Sequence, residues 1–193
     1  HVGLGSASAV AAVDMSDDAL DDAGFDVTSI ELSGASADLK QAFYQLTWVE
    51  MGCWFGFDFP CAASEFGSTE VYDDETGAFV HVEPETLVYP VYTGLPAGWS
   101  WSLFFCHMTT CDCLAVGIAE ALDVDPADVP FAEENACAPS LRPGRVIAAG
   151  YVDNGNIIGS PASLVDKALL GFLAELRRRG LAYHEVTYAC RLL

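Results

Sequence analysis

The stretch that most constrains this chain runs over 100–122, where Trp101, Phe104, Phe105, Met108, Ala115, Ile118, Ala119 and Leu122 recur at helical spacing and only Asp112 and Glu120 bring charge. A helix with so little polar surface must be covered, so the pattern predicts a helix buried against other elements. A second helix is predicted from Ser163, which can cap with Asp166 three residues on. Val165, Leu169, Phe172 and Leu176 form its apolar stripe, and Gly180 stops it after Arg177, Arg178 and Arg179. Strand signals surround the two helices. Residues 30–39 read as a strand entering a helical turn over 41–46, and 53–59 alternates aromatic residues in strand fashion. Residues 70–72 and 79–83 flank a hairpin turn at 73–77, and 87–92 is a further strand. Residues 145–149 and 156–158 make a hairpin around 150–155, with Asn154-Gly155 as the favoured tight-turn pair, and 181–189 closes the chain as a strand.

With 193 residues, 52% hydrophobic and 19% charged, the chain is long and apolar enough for one globular core. Residues 1–27 mix Ala, Gly and Ser with six aspartates and predict a solvated, flexible acidic arm. Residues 123–144, with four prolines among acids, predict an insertion outside the core of the 28–193 domain. The N-terminus lacks a secretory pattern, no uncharged run has the length of a membrane helix, and the opening His1 suits a piece of a longer chain. No membrane partner is therefore expected. Seven cysteines at irregular spacing do not form the even framework of a secreted disulfide domain, which points to an intracellular compartment. His107, Cys111 and Cys113 invite a zinc reading, but Cys113 leaves the helix face that the other two share, and buried thiols fit as well.

Charge argues against a grip on nucleic acid. Eight basic residues face 28 acidic ones, for a net charge of −20, and residues 1–141 hold a single cation, Lys40. Only the C-terminal quarter leans basic, through Arg177, Arg178, Arg179 and Arg191 among others, and a helix C-terminus stabilised by cations explains three of these equally. Such acidity also suits a surface adapted to high salt.

Three strings nevertheless fall in a telling order: Ala37-Asp38-Leu39-Lys40-Gln41-Ala42-Phe43-Tyr44, then Gly94-Leu95-Pro96-Ala97-Gly98-Trp99, then Tyr151-Val152-Asp153-Asn154, followed by Arg179-Gly180-Leu181. Placed on a predicted strand, helix start and hairpin, this series resembles the palm of a retroelement reverse transcriptase, with its motifs A, B, C and D in turn. The resemblance covers about 30–189 and implies an α+β fold: an antiparallel sheet with helices on one face, arranged as a ferredoxin-like split βαβ. It implies RNA-directed DNA synthesis from deoxynucleoside triphosphates on an RNA or DNA template-primer. Two Mg²⁺ or Mn²⁺ ions would be held by Asp38, Asp153 and the Leu39 carbonyl, with Asn154 beside them. It further implies that Phe43 is the ring that excludes a ribose 2′-hydroxyl, that the Gln41 amide meets the triphosphate, and that Gly98 opens the motif B helix against the substrate. Plainer roles stay open, since Asp38 can cap a helix, Asp153 can serve a turn, and Phe43 can be an ordinary core ring.

The departures from the family pattern are as specific as the matches. Asn154 replaces the second aspartate of motif C, which removes a negative charge and predicts weak metal binding. No lysine follows Gly180, which leaves His184 as the nearby group able to donate a proton to pyrophosphate. The fingers, the thumb and any RNase H region that would clamp nucleic acid would belong to a longer chain. The expected function is thus a partial or degenerate polymerase palm, with a non-catalytic acidic interaction domain of the same fold as the alternative.

Overall fold

The computed structural model describes residues 5–192. They fall into two compact units, one made of 5–45 with 97–192 and one of 46–96. The elements of the first are helices α1 (Ala7–Ala11) and α2 (Asp17–Asp22), strand β1 (Ser33–Leu39) and the short helix α3 (Ala42–Gln45). The second unit contributes β2 (Cys61–Ala62), β3 (Glu70–Asp73), β4 (Ala78–His81) and β5 (Leu87–Val88). The first then resumes with α4 (Ser100–Leu122), β6 (Val146–Tyr151), β7 (Asn154–Gly159), α5 (Ala162–Arg178) and β8 (Tyr183–Arg191).

The fold is mixed α+β, and its main sheet has the order β6-β7-β1-β8 with every neighbouring pair antiparallel. Small residues let α4 and α5 lie close on it. A side chain at Gly155 would meet Phe172 of α5 and Leu114 of α4, and one at Gly150, its register partner, would strike Cys111 of α4. Gly150, Gly155 and Ala37 therefore share the face under both long helices, where Leu114, Leu169 and Phe172 are fully buried. The two helices touch backbone to backbone where Gly117 faces Gly171, since a Cβ at Gly117 would sit 2.5 Å from the Gly171 carbonyl oxygen.

The expectation of helices on one face alone needs correction. Of the 1–27 segment expected as a loose arm, 1–4 lie outside the described residues, and the rest carries α1 and α2, each capped by a serine, Ser6 and Ser16, whose hydroxyl accepts an amide hydrogen bond. Ala9, Val13 and Leu20 are buried with Leu32, Ile147 and Ala149, the last two on the face opposite α4 and α5. Gly5 N–H also donates to the Gly150 carbonyl at 2.7 Å. The arm reading failed because so few apolar positions, mostly alanine, are enough for helices this short.

The 123–144 segment is likewise not outside the core. Ala132 and Leu141 join the same cluster, and residues 130–132 line the outer edge of β6, with Ala132 N–H to Ala148 O at 2.8 Å and Ala148 N–H to Pro130 O at 2.9 Å. Helix α4 has the predicted bounds, and Ile118 and Ala119 of the predicted stripe are buried, but the earlier turns bury a different face. Ser102, Cys106, His107, Thr110, Cys113, Leu114 and Gly117 turn inward, whereas Trp101 and Met108 stay about half exposed at 54% and 46%. By length and composition α4 could cross a membrane, yet half of its most apolar stretch is buried in this fold.

The 46–96 unit carries the expected β3–β4 hairpin, with Tyr72 opposite Phe79, and a two-residue pairing of β2 with β5. Residues 53–59 do not form the expected strand. They follow a 3₁₀ turn over Val49–Cys53, and a single bridge joins Gly56 to Val91.

Candidate functional site

Strand pairing brings the motif residues into one row. Asp38 near the end of β1 lies opposite Asn154 at the start of β7 and opposite His184 on β8, and Asn154 in turn pairs with Tyr151 on β6. The row Tyr151–Asn154–Asp38–His184 crosses all four strands, on the face away from α4 and α5. Asp153 joins it from the hairpin turn, where its carbonyl accepts the Leu39 N–H at 3.0 Å. Residues from the first and last quarters of the chain thus meet at one end of the sheet.

The turn differs from the expected Asn154-Gly155 pair. Tyr151 and Asn154 are the last paired residues, so the two-residue turn is Val152-Asp153, with Val152 at φ 56°. A positive φ is unfavourable for a β-branched side chain, so this hairpin holds strain at the tip that presents Asp153. Asn154, relieved of turn duty, aims its side chain at the carboxylates. Its Nδ2 donates to Asp153 Oδ1 at 3.4 Å.

Asp38 is the most constrained member. Its side chain is 20% exposed, and its Oδ1 is buried without a hydrogen-bond partner. Burial, then the neighbouring Asp153 charge and the Glu185 charge, push its carboxyl above the usual carboxylate range, and His184 and the Asn154 side chain pull the other way. His184 Nε2 stands 3.7 Å from that buried Oδ1. On the helix-covered side, the buried Cys106 of α4 is pushed up to about 12, first by burial and then by Asp153 and Asp38. It is a neutral packing thiol beneath the carboxylates, a neighbour that the sequence pattern did not single out.

The other sequence-predicted residues take these places. Leu39 is fully buried, Phe43 is half-buried on α3, and Gln41 is exposed at φ 50° just before it. Gly98, at φ 87° ahead of α4, has open space around its Cα. Gln45 was not anticipated. It ties α3 to the start of β8, with Nε2 donating to Ala182 O at 2.9 Å and to Lys40 O, and Oε1 accepting from Ala182 N–H.

The donor set can be weighed for a cation. One carboxylate on β1 and one on the neighbouring hairpin turn, an unpartnered buried oxygen of the first, and a neutral amide beside them suit a hard divalent ion. Among the described residues, no three His, Cys, Asp or Glu side chains form a metal-binding group, so Asp38 and Asp153 would bind with backbone, amide or water oxygens. The alternative cluster stays a pair, with His107 Nε2 3.5 Å from Cys111 Sγ and burial raising Cys111 to about 12 and Cys113 to about 11. No protein-family model matches this chain, and no curated protein matches it.

Proposed function

We propose that the Asp38–Asp153 end of the sheet is the palm of a reverse-transcriptase-type RNA-directed DNA polymerase, weakened at its metal site by Asn154. The observation that carries this reading is the convergence of Asp38 with Asp153-Asn154, each on the element its motif requires. The element succession β1-α4-β6-β7-α5-β8, with parallel strands split by an antiparallel one, supports it as a ferredoxin-like split βαβ palm.

In this reading Asp38 and Asp153 hold two Mg²⁺ or Mn²⁺ ions, with the Leu39 carbonyl as a further oxygen. When bound, such ions activate the primer 3′-hydroxyl and steady the leaving pyrophosphate. The chain's own groups set the site. Burial of Asp38 and the strained Val152 turn fix where the carboxylates stand, and Asn154 hydrogen-bonds Asp153 instead of adding a third charge. Phe43 excludes the ribose 2′-hydroxyl, the Gln41 amide faces the triphosphate, and Gly98 leaves room for substrate ahead of α4. RNA or DNA template-primer is held mainly by fingers and thumb, because so acidic a chain has few phosphate contacts to offer.

A second reading, a non-catalytic acidic interaction domain on the same fold, draws on the 46–96 unit. That unit has nine acids and no Lys or Arg, and it exposes Trp48, Trp54, Phe57, Phe59 and Phe79. Primer extension on an RNA template separates the two. The expected outcome is low or absent extension by the wild type, a gain in Asn154→Asp with Mn²⁺, and loss when Asp38→Asn is added. If Asn154→Asp binds neither metal nor deoxynucleotide, the interaction reading replaces the polymerase one.

A further inference from the structure

The β3–β4 hairpin is a two-faced element. Its register sets Glu70 opposite His81, Val71 opposite Val80, Tyr72 opposite Phe79 and Asp73 opposite Ala78. Side chains alternate across a strand, so Val71 and Val80 share one face while Glu70, Tyr72, Phe79 and His81 share the other. The valines are half-buried and all four residues of the second face are exposed, so the hairpin rests on its valines and turns its rings outward. Phe79 is 64% and Tyr72 46% exposed, and their rings meet edge to face at 5.5 Å. The Asp73 carboxylate organises the turn beyond them, accepting from Glu75 N–H at 3.1 Å and from Thr76 Oγ1 at 2.8 Å, which leaves Asp74 and Glu75 exposed at the tip. Rings paired outward on a strand face forgo burial, and apolar surface rimmed by polar groups is characteristic of docking sites.

Charge identifies the occupant. The 46–96 unit has nine acids and no Lys or Arg, and among the described residues none of those acids has an ion pair. Such a surface repels anionic lipid and nucleic-acid phosphate. A second copy is disfavoured as well, because the chain carries −20 overall. Its C-terminal cations are also engaged: Arg178 and Arg179 hold Glu175, and Arg191 stands 3.5 Å from Glu31. A guanidinium answers both halves of the surface, since it stacks on an aromatic face and pairs with carboxylates at its edge. The chain already makes the first of these contacts elsewhere, with the Arg177 guanidinium 5.2 Å from the centre of the Tyr183 ring. We propose that the Tyr72–Phe79 face of the β3–β4 hairpin docks an arginine-rich segment of a partner protein, whose guanidinium groups stack on the two rings and pair with Glu70, Asp74 and Glu75. This gives a partner to the acidic unit named in the interaction reading, and it holds whether or not the Asp38–Asp153 end of the sheet is catalytic.

Fluorescence anisotropy of a labelled octa-arginine peptide, titrated with the full chain at physiological salt, tests the docking face. Because any polycation is drawn to so acidic a chain, the deciding variant keeps its charge. Tyr72→Thr with Phe79→Val retains residues that favour strands and should weaken binding about fivefold or more, with circular dichroism unchanged. Glu70→Gln with Asp74→Asn and Glu75→Gln should weaken it comparably. Asp18→Asn with Asp21→Asn and Asp22→Asn on α2, an equal loss of charge, should change it by less than about twofold, since salt screens distant charges. An octa-lysine peptide, which has the charge but no planar group to stack, should bind more weakly than octa-arginine. Equal binding by wild type and the ring variant, or an α2 variant as weak as the hairpin one, would reduce the attraction to net charge and overturn the proposal. Tighter wild-type binding to a short single-stranded RNA or to anionic vesicles than to the peptide would overturn it too. No turnover is measured, so failure here leaves the palm reading untouched.

Discussion

Replacing Asn154 with aspartate should move stability in opposite directions with and without metal. Without metal, the new carboxylate stands where Nδ2 now donates to Asp153 Oδ1 at 3.4 Å, directly across the strands from Asp38, whose Oδ1 is already buried and unpartnered. Two like charges near 4 Å repel by about 4 kcal/mol at an effective dielectric constant of 20. Partial exposure of this end of the sheet reduces that to about 1–2 kcal/mol, and the lost hydrogen bond adds about 1 kcal/mol. For a chain of this size the sum, about 2–3 kcal/mol, lowers Tm by roughly 4–12 °C. A divalent ion reverses the sign, because a ligand at a hundred times its Kd adds about 2.7 kcal/mol. Thermal unfolding followed by circular dichroism at neutral pH, in chelator and then in Mn²⁺, measures both effects. Asn154→Asp should melt below wild type in chelator and gain more than wild type from Mn²⁺. Equal melting in chelator together with equal metal-induced shifts would refute the convergence of these side chains on a cation.

Three further outcomes follow from other parts of the fold. Glu175 is buried between Arg178 and Arg179, with three contacts of 2.6 Å, and hydrogen bonding to Arg178 holds its carboxyl below the usual range. A depressed carboxyl stabilises the fold above its unfolded pKa, about 4.3, and that contribution fades as pH falls through the lower folded value. Glu175→Gln should therefore cost about 2–3 kcal/mol in urea unfolding at pH 7, with the gap to wild type closing below pH ~4. Gly155→Val should cost about 1–3 kcal/mol by overpacking, because its Cβ would lie 2.5 Å from the Phe172 ring; unchanged urea stability would contradict the close seating of α5. In the Asn154→Asp background, Phe43→Val should raise ribonucleotide incorporation relative to deoxynucleotide by about tenfold or more, and an unchanged ratio in primer extension would remove Phe43 from the sugar pocket.

Periodicity made the two long helices and most of the sheet legible, because a 3.6-residue stripe and short β-rich runs reflect which faces are covered. It placed Ile118 and Ala119 correctly but misjudged the earlier turns of α4, because the buried side there uses Ser102, Thr110 and other small residues, which sequence patterns weigh as neutral. Backbone proximity of α4 to α5 needs those residues, and the large rings of Trp101 and Phe104 pack on each other instead. Asp38, Asp153 and Asn154 were legible as a set because the motif order preserves their elements. His184 was legible as a nearby group, but its pairing with Asp38 was not, since it comes only after two register shifts between β1 and β8 that no alternation rule foresees. The displacement of the turn to Val152-Asp153 was hidden for a similar reason, because it requires a conformation that valine rarely adopts.

The central claim concerns where a divalent cation sits. Crystals grown with Mn²⁺ and a deoxynucleoside triphosphate, measured at the manganese absorption edge, locate the ion directly and independently of any grip on template. The account predicts an anomalous peak within about 2.0–2.3 Å of carboxylate oxygens from both Asp38 and Asp153, with the triphosphate on the same ion. An empty position between those two carboxylates, with manganese bound elsewhere on this acidic chain, would contradict it.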